Sequence, residues 1–365
     1  MVEGKGPLDL EKEVLNQGLC TSCGACVGIC PYVKVVKDRV AVIEPCGIAA
    51  GKCYDFCPRT PTDIAALDRM VFGAERSDHA LGSYISIEMA QAADSEVRRY
   101  AQYGGVVSAL AKYAMDVGET GAALLTKPFD TGLMPSATVA YRSSQVLACG
   151  MSNYVASPNL AALNLAKQHH ATSMVGTPCQ VTAVRKMQAS THESAAKGMK
   201  LVIGLFCTWA LDYRGFYGFL KRQIDPATIK RLDIPPPPSN LLVANTGAGA
   251  VEFLLDEVRE FIKPTCSVCY DMTSELADIS VGMVEEMDEW NTLIVRTEVG
   301  QRIVEKAKAV GVISTVPLDE DRLEHLREAS FLKKKRAVAE LVKRSGDESD
   351  LQYLLLSDTE RRNLQ

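Results

Sequence analysis

The chain has 365 residues, a formal net charge of −5 and 47% hydrophobic residues, enough apolar material for a sizeable core and a length that suits two or three domains. The mildly acidic balance gives no support for a nucleic-acid partner. No run reaches the roughly 18–20 uninterrupted apolar residues of a membrane span, and Met1 to Leu10 lacks the charged-then-apolar pattern of an export signal, so a reducing, oxygen-poor cytoplasm is the expected setting for twelve cysteines.

Residues 1–15 read as a short leader. Next comes Cys20-Thr-Ser-Cys23-Gly-Ala-Cys26-Val-Gly-Ile-Cys30-Pro31. This is a C-x2-C-x2-C-x3-C-P run, the ligand spacing of bacterial ferredoxins, in which the fourth cysteine serves the other cluster. A second, defective run ends in Cys53-Tyr-Asp-Phe-Cys57-Pro58. Counting back from Cys57, Ala50 and Gly47 stand where cysteines belong, and Cys46 supplies a thiol after a longer loop. The crosswise pairing predicts one [4Fe–4S] cluster on Cys20, Cys23, Cys26 and Cys57, and a second site on Cys30, Cys46 and Cys53. With three thiolates the second site is a [3Fe–4S] centre, a [4Fe–4S] centre with a non-cysteine ligand, or empty. Zinc also takes four closely spaced thiolates, but the proline after each run and the crosswise pairing favour iron–sulfur.

Between the runs, Val33 to Ile43 alternates around Lys37-Asp38 and predicts a hairpin covering the clusters. Arg59 to Met70 reads as a helix closing a ferredoxin-like unit over residues 1–70. Residues 71–97, of weak periodicity, read as a linker. The main domain, 98–315, opens with Gly104-Gly105 before a helix to about Val117, whose apolar face is Val106, Val107, Leu110, Ala111, Ala114 and Met115. A helix start after paired glycines attracts anions, although such pairs are more often plain turns.

Strands are predicted at 121–126, 137–141, 172–176 and 201–207, with helices starting at Pro158, following Cys179 to Met187, and over 212–223. This alternation predicts an α/β layer with a mostly parallel sheet. Cys179 and Cys207 then fall at strand carboxyl ends, where open α/β sheets place ligands. His169 and His170 read as surface residues. Pro235 to Pro238 marks a stiff connection, and 241–245 with 250–255 a hairpin. After Cys266-Ser-Val-Cys269, strands are predicted at 277–282 and 291–296, and a helix at 299–309. Residues 316–365 form a charged helical tail. In it Lys333, Lys334, Lys335 and Arg336 read as a solvated face, with docking on an acidic partner the alternative.

Cys179, Cys207, Cys266 and Cys269 are well placed for one further [4Fe–4S] cluster, which spacing alone leaves open. Cys149 is left over and reads as a small buried hydrophobe.

Residues 98 to 312 resemble the beta subunits of coenzyme F420-reducing hydrogenase and related dehydrogenases. The matching pieces are Gly104-Gly105-Val106-Val107-Ser108, Gly150-Met-Ser-Asn-Tyr154 with Ser157-Pro158-Asn159, and Gly176-Thr-Pro-Cys-Gln180. They continue through Gly204-Leu-Phe-Cys207, Cys266-Ser-Val-Cys269, Ala277 to Gly282 and Trp290-Asn291-Thr292. The resemblance implies one FAD and one [4Fe–4S] cluster here, the latter on Cys179, Cys207, Cys266 and Cys269. It implies flavin contacts from Gly104, Gly105, Val106 and Ser108, from Ser152, Tyr154, Ser157 and Asn159, from Thr177, Pro178 and Gln180, and from Asp278, Ser280 and Gly282. The incomplete second run departs from the two-cluster pattern of several family members.

The function implied is an iron–sulfur flavoprotein subunit. It would pass electrons between a hydride carrier (coenzyme F420), FAD, two or three clusters and a partner oxidoreductase subunit or ferredoxin. Two alternatives keep the cofactors: a ferredoxin-linked reductase of a small organic molecule, and a pure electron adaptor in a hydrogenase, formate dehydrogenase or heterodisulfide reductase complex. Hydride transfer to flavin needs no side-chain acid or base, and no catalytic residue is nominated.

Overall fold

The computed structural model describes residues 4–128, 134–166, 171–235 and 239–364; His169, His170 and three of the four prolines of the 235–238 run lie outside the described residues. The chain begins with α1 (Pro7–Leu10), which widens into a π-type turn over Glu11–Leu15. The expected leader is therefore packed structure. Leu10 and Val14 are each buried against the cysteine loops, because even this short turn has one apolar side.

The predicted hairpin forms from β1 (Val33–Val36) and β2 (Arg39–Val42), antiparallel around Lys37-Asp38. Its tip is anchored: Asp38 is fully buried and accepts the Tyr213 N–H at 3.0 Å. Next come α2 (Lys52–Asp55), β3 (Thr62–Asp63) and α3 (Ile64–Phe72). That last helix starts later than the sequence suggests, because Asp63 caps it by accepting the Ala66 N–H at 2.9 Å.

Residues 71–97, read as a linker, supply β4 (Ser86–Ala92), an interior strand of the main sheet. Its buried positions are Met89, Ala90 and Ala92, mostly too small to give an apolar alternation. After α4 (Ser95–Tyr100) and α5 (Val106–Asp116) come β5 (Ala122–Lys127), β6 (Ser136–Ala140), α6 (Asn159–Leu165), β7 (Thr172–Gly176), α7 (Pro178–Ala189) and β8 (Met199–Leu205). A side lobe holds α8 (Tyr213–Lys221), β9 (Ile229–Asp233), β10 (Leu241–Thr246), β11 (Gly249–Leu254) and α9 (Leu255–Arg259). The predicted β10–β11 hairpin is present, extended by β9 into a three-stranded antiparallel sheet. Phe216, Leu220 and Phe253 lie in its core.

The chain returns through β12 (Ile279–Met283), β13 (Asn291–Val295), α10 (Glu298–Ala309) and β14 (Ile313–Pro317). It ends in α11 (Glu320–Ser345), β15 (Leu354–Leu355) and α12 (Asp358–Leu364). The main sheet has eight strands in the order β14-β4-β13-β12-β8-β7-β5-β6. Its class is α/β, as expected, but the sheet, expected to be mostly parallel, is mixed, with three parallel and four antiparallel pairings among the described strands. The middle strands β12, β8, β7 and β5 are parallel. The flanks join by antiparallel pairs.

One face buries α5 and α10, with Leu110, Ile303 and Val304 against Leu201 and Leu293. The other buries α7 together with Cys23, Phe56 and Leu67 of the N-terminal unit. That unit is therefore docked on the sheet layer, and the tail closes over it: β15 pairs with β3, and Leu341, Tyr353 and Leu354 share its core.

The basic run on α11 is not a solvated face. Lys333 and Lys334 are 5% and 0% exposed. Ser330, Lys333, Ala337 and Leu341 recur at three- and four-residue steps, so the two lysines fall on the buried stripe. Each finds an inward partner: Lys333 Nζ donates to Cys207 O at 2.5 Å, and Lys334 Nζ lies 2.8 Å from Glu275 Oε1. Among the described residues no helix is long and apolar enough to cross a membrane.

Candidate cofactor sites

Eleven of the twelve cysteines gather in three groups, and all twelve are free thiols. The first group is Cys20, Cys23, Cys26 and Cys57. Its loop is held by α6: Leu160 N donates to Cys23 O at 3.0 Å, and Asn164 Nδ2 donates to Ala25 O at 3.0 Å and Val27 O at 2.8 Å. Gly24 sits at φ +86°, and a Cβ there would stand 2.6 Å from Pro158 O. Only glycine allows the loop to lie so close to the helix start. Burial raises the Cys26 thiol first, and Cys23, Cys57, Cys20 and Cys53 raise it further. Cys57 is pushed up to about 11, chiefly by burial, against the Arg59 N–H and the Lys186 ammonium.

The second group is Cys30, Cys46 and Cys53. Burial, then Cys30, lifts Cys53 to about 11, with a smaller push from Cys46. Ala50 and Gly47 are exposed beside it. The third group is Cys179 at the start of α7, Cys207 after β8, and Cys266 and Cys269 from the C-x2-C turn. Burial raises Cys207, and Cys266, Cys179 and Cys269 are among the groups around it. Cys269 is the exception. Burial pushes it up, but the Lys333 ammonium and the Arg59 guanidinium outweigh that and leave it below its ordinary value.

The first group has the other two as electrostatic neighbours. Cys23 of the first feels Cys179 of the third, and Cys26 of the first feels Cys53 of the second. Such buried and half-buried, unbridged thiols are the donor set that iron–sulfur clusters use. Among the described residues no three or more His, Cys, Asp or Glu side chains close around a single metal ion. Cys149, only partly buried, packs beside the α5 face of the core, apart from the groups.

The flavin candidates divide. Gly104 and Gly105 turn the chain between β4 and α5, with Gly104 O accepting from Ala92 N at 2.7 Å. Ser108 is half-buried on α5, whereas Val106 is fully buried in the core. Ser152 N donates to Gln102 Oε1 at 3.1 Å, and the Tyr154 hydroxyl accepts from Ile234 N at 3.0 Å while its ring leans on Trp209. Thr177 and Gln180 form a capping box around Pro178 at the head of α7, and Gln180 Nε2 reaches Ser157 O at 2.8 Å.

On the segment that Gln180 reaches, Asn153 Oδ1, Ser157 Oγ and Asn159 Oδ1 are buried with no hydrogen-bond partner among the described residues. Three orphaned polar atoms on one short segment suit a polar ligand such as a flavin. Asp278 and Ser280 are instead committed to the framework. Asp278 accepts from Val202 N at 2.8 Å and pairs with Arg185 at 3.1 Å; Ser280 Oγ accepts from Arg296 Nε at 2.7 Å. Gly282 lies against the Phe206 ring.

Sequence reasoning missed Arg59, Lys333 and Tyr353. Arg59 Nε donates to Thr265 Oγ1 at 3.1 Å, beside Cys266. The buried spacing on α11 was the available signal for Lys333; nothing local marks Arg59 or Tyr353.

The architecture defines a class: a mixed-sheet α/β domain with cysteines at its strand ends and a thiol-rich unit docked on one face. Two family models match, both describing the beta subunit of coenzyme F420 hydrogenase/dehydrogenase: its N-terminal part over residues 88–164 and its C-terminal part over 170–321. The coenzyme F420 hydrogenase subunit beta of Methanothermobacter thermautotrophicus is 30% identical over 273 residues, 72% of this chain and 96% of that protein. The coenzyme F420-dependent sulfite reductase of Methanocaldococcus jannaschii is 29% identical over 364 residues, 95% of this chain and 54% of that protein. A chain of the F420-reducing [NiFe] hydrogenase complex from Methanosarcina barkeri superposes with a TM-score of 0.66 at 28% identity, covering 72% of this chain and 94% of that one. The chain belongs to the coenzyme F420 hydrogenase/dehydrogenase beta-subunit family. The third cysteine group lies inside the matched segments, and the first two groups and α11 lie almost wholly outside them.

Proposed function

We propose that the chain is an electron-transferring subunit of a coenzyme F420-linked oxidoreductase. In this reading it binds FAD and iron–sulfur clusters and works against a partner redox protein. The observation that supports the reading is the gathering of eleven free cysteines into three groups, with Cys179 an electrostatic neighbour of Cys23 and Cys53 of Cys26. Cys179, Cys207, Cys266 and Cys269 would hold one [4Fe–4S] cluster, Cys20, Cys23, Cys26 and Cys57 another, and Cys30, Cys46 and Cys53 the third centre. The orphaned polar atoms of Asn153, Ser157 and Asn159, with the Gly104–Ser108 turn and the head of α7, would hold the flavin.

Bound FAD supplies the exchange between the electron pair of a hydride and the single electrons that clusters carry. The chain's own residues hold and order these groups. The π-type turn and the hairpin shield the first loop from water, and α6 ties that loop to the Ser152–Asn159 segment.

The test is anaerobic mixing of the purified, flavin-loaded protein with reduced F420. Bleaching of the yellow flavin band supports the proposal. No bleaching, with reduction only by a partner protein, points to the electron adaptor instead.

A further inference from the structure

The C-terminal helix α11 lies outside the family-matched segments apart from its first turn, and it carries two adjacent buried lysines. Lys334 is neutralised by Glu275, at 2.8 Å and 2.9 Å from its two oxygens. Lys333 is not. No carboxylate of the described residues pairs with its Nζ, which donates instead to the backbone oxygen of Cys207. A buried ammonium with no directly paired counter-anion is costly. The groups that favour the charged form of Lys333 are Cys269, Cys207, the unpaired but nearby Asp271 carboxyl, and Cys266, so sulfur predominates. A set of four thiolates around an iron–sulfur core carries net negative charge and would supply the missing counter-charge.

We propose that Lys333 is a positioning residue for the third centre: α11 inserts its ammonium against the Cys207–Cys266–Cys269 side and so raises the reduction potential of whatever cluster those cysteines hold. The inference rests on the reading of these four cysteines as cluster ligands. The physical reason is sign alone. Reduction adds an electron to an already negative centre, and a fixed positive charge in a water-poor site stabilises the more negative state. The hydrogen bond of Lys333 to Cys207 O holds the ammonium at the loop that follows β8, within electrostatic reach of the Cys266–Cys269 turn.

The experiment is an anaerobic potentiometric titration of the full chain, followed by electron paramagnetic resonance. The relevant signal is the one that Cys266→Ala abolishes. Lys333→Gln keeps a donor for Cys207 O and removes the charge. Lys333→Met removes both, and Lys333→Arg retains the charge. Lys335→Met makes the same charge change on a neighbouring, less buried position of the same helix.

The expected result is a midpoint moved to lower potential in Lys333→Gln and Lys333→Met at unchanged iron content. Lys333→Arg and Lys335→Met should stay near the wild type. An unmoved midpoint in both neutral variants, or an equal shift in Lys335→Met, overturns the proposal while leaving the cluster reading intact. A wild-type chain without iron, or with no signal lost in Cys266→Ala, overturns both.

Discussion

Arg59 and Tyr353, near opposite ends of the chain, are joined directly. The Arg59 Nη1 donates to the Tyr353 hydroxyl at 2.6 Å, and the guanidinium lies 4.4 Å from the ring centre. The same hydroxyl donates to Val268 O at 2.7 Å, between Cys266 and Cys269. One phenol thus ties the N-terminal unit to the C-x2-C turn.

Tyr353→Phe should therefore cost more than a surface change. It leaves a buried guanidinium N–H and the Val268 carbonyl without that partner, worth about 1–3 kcal/mol. Chemical denaturation should show a lower midpoint, and a chelator should strip iron faster. Unchanged values in both measurements would show that the tie contributes nothing to stability.

Glu275 is the hub of a buried charge network. It meets Arg76 and Lys334, and Arg76 Nε also pairs with Asp68 Oδ2 at 2.6 Å. Glu275→Gln strands the Lys334 ammonium in the interior, while Arg76 keeps Asp68 and Glu360, and should destabilise by about 3–5 kcal/mol. Adding Lys334→Met should recover part of the loss. A double variant as unstable as the sum of the two singles would deny the coupling.

Leu10 and Val14 line the cavity that also holds Cys20, Cys23, Cys26 and Cys57. Leu10→Ala should cost about 2–5 kcal/mol and admit water and oxygen to the first thiol group. Bleaching of its brown absorbance in air should accelerate, while anaerobic absorbance stays near that of the wild type.

Asp78 offers a test by pH. Burial alone would raise its carboxyl, but the Leu81 N–H, the Arg327 guanidinium and the Ala80 N–H outweigh burial and hold it below the ordinary value. A folded value below the unfolded one gives stability that is present above the usual carboxylate range and lost as pH falls through the folded value. Asp78→Asn should therefore be less stable than the wild type near neutral pH, and the gap should close in acid. A gap constant from about pH 7 to about pH 3 would contradict the assignment.

On the proposed route, Cys23→Ser should leave flavin reduction by reduced F420 intact and block onward transfer to a partner, because Cys23 is the electrostatic neighbour of Cys179 across the first and third groups. Normal transfer in this variant would remove the N-terminal unit from the route.

The thiol pattern was readable because ligand spacing is a local property: the two cysteine runs and the C-x2-C turn announce themselves within a dozen residues. The parallel middle of the sheet was readable from the alternation of strands with helices and from the apolar run 201–205 in β8, whereas β7 buries Thr172 and Ser173. Strand β4 was not, because its buried side chains are mostly alanines. Lys333 and Lys334 were misread because a lysine run looks solvated unless the i, i+4 positions of Ala337 and Leu341 are weighed with it. Arg59 and Tyr353 were invisible, since their partnership spans nearly the whole chain. Asp278 and Ser280 looked like ligand contacts, yet they tie β12 to α7 and α10 through Arg185, Arg296 and Thr297.

The pairing of Thr62 with Leu354 sets a timetable for biosynthesis. The Arg59–Tyr353 contact spans 294 positions, which at roughly 5–20 residues per second is a delay of tens of seconds on the ribosome. Until the tail emerges, the nascent N-terminal sulfurs have no roof. A metal centre built on those cysteines, as proposed, would thus become protected only after residue 354 has emerged and paired, and before then would need an escort that keeps oxidants away.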